Sequence, residues 1–365
     1  MNLRTLIHVA QIDLTPTSGM GRIAWEWRAA AQRGGIDFIH LGQEEIGPVR
    51  HRLLFPPKAR EKAMTLAEEG TALLIHEPCA WAFRRVPWPV IAFSHGVEPR
   101  GFEIERHFEP TSPKRRITTP ILRWLGLRGL RAMDLILVSN SDDRKYLLDR
   151  SIQPRERIRI FRNGVDASPT PGPDATTTSA PTVLFNGSWL ERKGIATLIQ
   201  AAALLAEKGI RPRWLLIGTV ASEQEVLARW PEVLRPEVSV IPSFQREEEA
   251  ALLARAEIFV LPSFFEGQSL ALAQALAAGR CCIASNCCGQ RDLIQHGQNG
   301  LLFTPGNGTE LAGLIQRALD DRNLREELGR NARITARELA WASVADDVIA
   351  MIRQACDSIS KPSSR

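Results

Sequence analysis

Short apolar runs bounded by turn residues alternate with helix-period stretches along this chain, and one break divides the alternation into two similar halves. A strand covered on both faces reads as a continuous apolar run. Such runs followed repeatedly by helices build a parallel sheet with helices on both sides. In the first half the runs fall at 4–10, 38–41, 72–75, 90–93, 135–138 and 157–161. In the second they fall at 183–186, 214–217, 238–241, 258–261 and 281–285. Between the halves, SPTPGPDATTTSAP at 168–181 has almost no large apolar side chain, which is the composition of a linker. The pattern predicts an α/β chain with one Rossmann-like domain over 1–167 and another over 182–340. An amphipathic helix over 341–356 and a disordered tail over 357–365 follow.

A length of 365 residues suits two domains, and 44% hydrophobic content is enough for two packed cores. The net charge of +5 is too small to argue for nucleic acid, and no recognition motif accompanies it. No apolar run approaches bilayer length, and the first residues lack the long apolar core of a signal peptide, so a cytoplasmic protein is expected. Six cysteines include the adjacent pairs Cys281-Cys282 and Cys287-Cys288. Neither pair has the spacing that closes a metal chelate, so reduced core thiols are expected and no metal site.

The stretch 258–292 is the candidate active centre. It reads as a strand, a Pro-Ser turn, Glu266-Gly267, a helix beginning near Gly267, Gly279 and a second strand. Ligands of open α/β sheets gather at such strand-to-helix junctions, and free N–H groups at a helix start suit a phosphate or sugar hydroxyls. In the loop 187–194, Arg192 and Lys193 stand close to a helix start, where the helix dipole disfavours cations. An anion held by both resolves that conflict, and diphosphate is the natural candidate. Gly19 and Gly21 fit G-x-G-x-x-A but follow the first strand after a long loop, and no ribose-binding acid ends the second strand. A dinucleotide site is therefore set aside for a phosphate or sugar contact. His95, followed by glycine just past an apolar run, is placed where ligands gather, although a lone histidine is more often structural. The segment 113–133 carries Arg123, Arg128 and Arg131 among Ile121, Trp124 and several leucines, with no acid. It suits a helix on an anionic membrane surface, or an ordinary surface helix packing on the first domain.

Several motifs, in order and over nearly the whole chain, resemble the family-4 retaining glycosyltransferases of the GT-B fold. Ser18-Gly19-Met20-Gly21 resembles that family's first glycine loop, and His95-Gly96 its His-Gly after a strand. Arg162-Asn163-Gly164-Val165-Asp166 is similar to the motif that ends the first domain. Gly187 to Gly194 resembles the basic loop, Pro262 to Gly267 the P-S-x-x-E-G motif, and Asn299-Gly300-Leu301-Leu302 the N-G-x-L motif. Three positions depart from the pattern. Gln274 stands for the second acid of E-x(7)-E, Ser188 for a common arginine, and Asp292 for a commoner glutamate.

The resemblance implies two Rossmann-like domains facing across a cleft, with the C-terminal helix packing back toward the first. It implies transfer of a hexose-type sugar from a UDP- or GDP-linked donor to a hydroxyl of a glycan or lipid-linked acceptor, with retention and without metal or other cofactor. His95, Lys193 and Glu266 take the catalytic roles. Gly19, Gly21, Ser188, Arg192, Gly267, Gln268, Ser269 and Gln274 join Lys193 and Glu266 around the donor. Arg123, Trp124, Arg128 and Arg131 fall on the membrane or acceptor side. Surface polysaccharide or glycolipid synthesis at the inner face of the cytoplasmic membrane is the setting it suggests. A binding-only relative that has lost turnover, or a sugar-nucleotide epimerase, are the alternatives.

Overall fold

The computed structural model describes residues 2–16, 19–108, 113–166 and 181–360. Ser18, the linker residues 168–180 and the last five residues lie outside the described residues. The chain forms two units, Met1–Gly164 with Trp341–Arg365, and Val165–Ala340. Each holds a six-stranded sheet in which every strand pairing is parallel.

In the first unit the strands are β1 (Thr5–Val9), β2 (Asp37–Leu41), β3 (Thr71–His76), β4 (Val90–Ser94), β5 (Leu135–Val138) and β6 (Ile158–Ile160). Their spatial order is β2-β1-β3-β4-β5-β6. In the second they are β7 (Thr182–Asn186), β8 (Arg213–Ile217), β9 (Val238–Ile241), β10 (Ile258–Leu261), β11 (Cys281–Ser285) and β12 (Leu301–Phe303), ordered β12-β11-β10-β7-β8-β9. The apolar runs form strands because helices cover both faces. Every residue of β4, β5, β10 and β11 is buried. Strand order reverses between β1 and β3 and again between β7 and β10. Loops leaving the strands at such a reversal diverge and open a crevice at the carboxyl edge.

The helix Trp341–Ser360 belongs to the first unit and runs past residue 356, so residues 357–360 are helical rather than tail. Val344, Ala345, Val348, Ile349 and Ile352 bury one face of it against the helix Gly19–Arg33. Arg33 pairs with Asp346 at 2.7 Å, and the Arg22 guanidinium lies 4.9 Å over the Trp341 ring. The helix Arg322–Arg337 is amphipathic and buries a narrow face of Leu328, Gly329, Ala332 and Ala336. Small residues let it approach closely: a Cβ on Gly329 would lie 2.2 Å from the Gly279 carbonyl oxygen.

Glu77, just beyond β3, is 1% exposed and caps the helix Glu98–Glu105, accepting from Glu98 N–H at 3.0 Å. Burial, then the nearby Glu98 and Asp143 charges, push its carboxyl from 4.5 up to about 8. The folded carboxyl therefore holds its proton more tightly than the unfolded one. The stabilisation is complete below about 4.5 and is lost as pH rises through about 8. Glu77→Gln should keep the fold and flatten the decline of Tm across that window. A wild-type slope in the variant would assign the decline to other groups.

Candidate active site

Two loops leave the carboxyl edge of the second sheet on either side of its order reversal. Residues 187–194 follow β7 and residues 262–269 follow β10. The first is tied to the end of β8 by Gly187 N–H to Ile217 O at 3.0 Å and Trp189 N–H to Thr219 O at 2.8 Å. It closes in a single turn, Glu191–Lys193, stopped by Gly194 at φ +75°. Gly194 is also a close approach between the loops, since a Cβ there would lie 2.0 Å from the Pro262 carbonyl oxygen. Beside it Phe264 N–H donates to Arg192 O at 2.8 Å, and Arg192 Nη1 donates to Phe265 O at 3.4 Å.

This junction brings Lys193 and Glu266 into direct contact. Lys193 Nζ donates to Glu266 Oε1, which also accepts from Ser263 Oγ at 2.9 Å. Both side chains are largely buried, 13% and 11% exposed, so each charge depends on the other. Removing one partner of a buried pair costs about 3–5 kcal/mol, with less expected where the pair is partly wet. The loop beneath the carboxylate is pinned from β11 and beyond. Ser285 Oγ donates to the Ser263 carbonyl, Gln290 Nε2 reaches the same oxygen at 3.3 Å, and Gly289 N–H donates to Gly267 O at 3.0 Å. Sequence reasoning missed Ser263, Ser285, Gly289 and Gln290 as supports. Their signal is tertiary, apart from Ser263, which stands in the quoted Pro-Ser turn.

The helix after this loop is Leu270–Ala277 and does not begin near Gly267. Ser269 caps it, its hydroxyl accepting from Leu272 N–H at 3.3 Å, because an Oγ at the N-cap satisfies a first-turn N–H. Gly267, Gln268 and Ser269 thus form the buried approach to the helix rather than its first turn. Ser188 is half-buried in the opposite loop. Gln274, 8% exposed, faces a cavity of about 230 Å³ that Asp166, Arg246, Glu247, Glu249 and Leu253 also line. Arg246 pairs with Asp166 at 2.8 Å, and Glu249 accepts from Asn186 Nδ2 at 3.2 Å. Three acids already share this cavity with one arginine. A neutral amide at 274 avoids adding a fourth acid.

Gly19, Gly21 and His95 lie in the first unit. The helix is Gly19–Arg33, so both glycines are in its first turn. A Cβ on Gly19 would meet nothing within 4 Å, so local packing does not require glycine there. His95 packs among Trp27, His76, Phe93 and Phe161, with ring centroids 5.5–6.0 Å away. Burial first and His76 second hold its imidazole down to about 3, so it is neutral at neutral pH. Its Nδ1 is buried without a partner. His95 can therefore act by hydrogen bonding but not as a standing cation.

The basic segment forms the helix Pro113–Leu130. Gly126 and Gly129 seat it on the first unit, where a Cβ on Gly129 would lie 2.6 Å from Trp81 N. Arg123 is paired with Glu103, Arg128 lies 4.9 Å over the Trp124 ring, and Arg131 is exposed past the helix end. Ile117, Ile121 and Trp124 are 68%, 49% and 55% exposed, and their spacing puts them on one face. All six cysteines are thiols rather than disulfide-bonded. Burial pushes the Cys281 thiol up to about 12, and among the described residues no three His, Cys, Asp or Glu side chains converge on a metal-sized site.

Because Gly194 combines left-handed backbone with a carbonyl contact, Gly194→Ala should destabilise the protein by roughly 2 kcal/mol or more. Thermal melts would show this as a lowered Tm. An unchanged Tm would mean that the two loops are not seated on each other through Gly194.

Residues 24–169 match the model of Glycosyltransferase Family 4, and residues 174–335 match that of Glycosyl transferases group 1. The chain is 25% identical to alpha-D-kanosaminyltransferase of Streptomyces kanamyceticus over 67% of each chain. It is 25% identical to MMP alpha-(1->4)-mannosyltransferase of Mycolicibacterium hassiacum, over 74% of this chain and 66% of that one. The chain spans between 40% and 67% of the length of the first curated relatives it matches. Among solved structures, sucrose-phosphate synthase from Thermosynechococcus elongatus superposes with a TM-score of 0.78 at 19% identity, covering 97% of this chain and 100% of that one. Anabaena HepE in complex with UDP-glucose superposes with a TM-score of 0.68 at 16% identity, covering 96% and 99%. Two Rossmann-like parallel-sheet units, with a family match on each, make this chain a member of the GT-B glycosyltransferases of the family-4 type.

Proposed function

We propose that the protein is a retaining glycosyltransferase that moves a hexose-type sugar from a UDP- or GDP-linked donor to a hydroxyl of a glycan or lipid-linked acceptor, without a metal ion. The observation that carries this reading is the contact of Lys193 with Glu266 at the order reversal of the second sheet. A cation and a carboxylate side by side match a substrate with a diphosphate next to sugar hydroxyls. Binding would exchange their mutual contact for one partner each. The names of the relatives specify alpha linkages, and the Anabaena neighbour was solved with UDP-glucose, which supports a nucleotide-sugar donor.

In this reading the bond from the anomeric carbon to the diphosphate breaks, and the acceptor oxygen bonds to that carbon on the same face. The acceptor proton passes to the departing phosphate oxygen. Lys193 and Arg192 stabilise the diphosphate charge, and Glu266 holds sugar hydroxyls. Gly267, Gln268 and Ser269 line the approach, Ser188 contacts the diphosphate, and Gln274 accepts one hydrogen bond from the ribose. Gly19, Gly21 and His95 also contact the donor, with His95 acting as a neutral hydrogen-bonding group. The binding-only alternative draws on the neutral side chains Gln274 and Ser188. An epimerase would form product without an acceptor.

Screening nucleotide sugars for release of the nucleoside diphosphate, with and without a chelator, tests the activity and its metal independence. Lys193→Ala should lower kcat by at least about 100-fold. Near-normal turnover would remove Lys193 from that role, and no release from any donor would favour the binding-only reading.

The exposed face of the helix Pro113–Leu130 supports docking on an anionic membrane, consistent with a lipid-linked or surface-polysaccharide acceptor. The double variant Ile121→Ser/Trp124→Ser should weaken sedimentation with phosphatidylglycerol vesicles by about tenfold or more. Arg128→Ser should weaken it further than Arg123→Ser, since Arg123 is engaged by Glu103. Undiminished sedimentation of the double variant would locate the membrane surface elsewhere.

A further inference from the structure

His8 and His40 are register partners on β1 and β2, and the donor chemistry above uses neither. His40 Nε2 lies 2.9 Å from the Ile12 carbonyl oxygen, and His40 Nδ1 lies 2.8 Å from His8 Nδ1. A carbonyl only accepts, so His40 Nε2 carries a proton. A neutral His40 then presents a bare Nδ1, so His8 donates from its own Nδ1 and its Nε2 is bare. Burial lowers the pKa of both rings and keeps them neutral, and His8 Nε2 is buried without a partner, as this assignment requires. The two rings form a one-way relay that ends on the Ile12 carbonyl.

Ile12 lies in the segment that leaves β1 for the helix Gly19–Arg33, on one flank of the order reversal in the first sheet. Two weaker contacts hold the same segment, Ala10 N–H to Leu41 O and Gln43 Nε2 to Gln11 O, each 3.3 Å. His8 is fully buried, stacked 5.4 Å from Phe38 and 5.1 Å from Phe93, so it cannot turn. His40 is only half-buried and would rotate freely without its neighbour. Gly42 shows how closely the contact is built. Its backbone is extended, yet a Cβ there would lie 2.3 Å from His40 Nε2 and 2.4 Å from the Ile12 oxygen.

We propose that the His8–His40 pair is a positioning device: it fixes where the chain leaves β1, and thereby how Gly19 and Gly21 meet the donor. The second half of this statement rests on the donor reading of the glycines, and the first half does not. Two variants break the clamp by different routes. His40→Phe removes the donor to Ile12, and Gly42→Ala places a methyl in its path at a backbone conformation alanine adopts without strain. His40→Gln keeps an N–H near the position of Nε2.

Amide hydrogen exchange tests the clamp without any activity assay. His40→Phe and Gly42→Ala should each speed exchange of the Ala10 and Ile12 amides, which are hydrogen-bonded to Leu41 O and Ala10 O, by about tenfold or more while the other strands of the sheet stay protected, and His40→Gln should restore much of the protection. In turnover, both clamp-breaking variants should raise the donor KM by about tenfold with kcat within about twofold of wild type. Unchanged exchange in Gly42→Ala, or a His40→Gln variant as unprotected as His40→Phe, would overturn the clamp. Should His40→Phe fail to fold, the Gly42→Ala and His40→Gln pair decides. Faster exchange with an unchanged donor KM would overturn the link to the donor and leave the clamp standing. Absence of turnover in the wild type would count against the donor reading alone.

Discussion

A close approach of the Pro262 carbonyl to Gly194 seats two loops on each other at the carboxyl edge of the neighbouring parallel strands β7 and β10, where strand order reverses. Nearly everything functional in the second unit depends on that seating. The backbone bonds between Arg192 and Phe264 run beside it, and they bring Lys193 onto Glu266. The geometry is imposed by backbone, which tolerates little adjustment. The charges it aligns are carried by side chains, which rotate more readily than the backbone that holds them.

The two sheets were legible because a strand buried on both faces leaves a continuous apolar run, and eleven such runs were read without reference to packing. The short strand Leu301–Phe303 and the helix Arg322–Arg337 were not read as elements. One is three residues long, and the other is mostly polar or charged, with Leu328 the one large side chain among Gly329, Ala332 and Ala336 on its buried face. One start point also slipped: Ser269 caps the helix Leu270–Ala277 by a hydroxyl contact, so the helix opens on Leu270 rather than near Gly267.

At the candidate site the sequence identified Lys193 and Glu266 separately, one from a charge misplaced on a helix dipole and one from a strand-to-helix turn. It did not predict that they touch, because they are far apart in the chain and meet only through the order reversal of the sheet. The reading of Gln274 changed in kind. From sequence it is a departure from a family pattern. In the fold it faces a cavity already crowded with carboxylates, where neutrality has a local electrostatic reason. The basic helix divided in the same way, since Arg123 is spent on Glu103 while Ile117, Ile121 and Trp124 are left outward.

The helix Trp341–Ser360 closes the first unit although it follows the whole second unit in the chain. During synthesis the strands of that unit emerge early, but the partner that covers the helix Gly19–Arg33 is absent until the whole second unit has been translated. The nascent first unit must wait with an apolar helix face open to solvent, so it is the second unit that can finish folding first on its own residues. An early stop or a stall late in translation would therefore leave the amino-terminal half, rather than the truncated end, as the sticky species that chaperones meet.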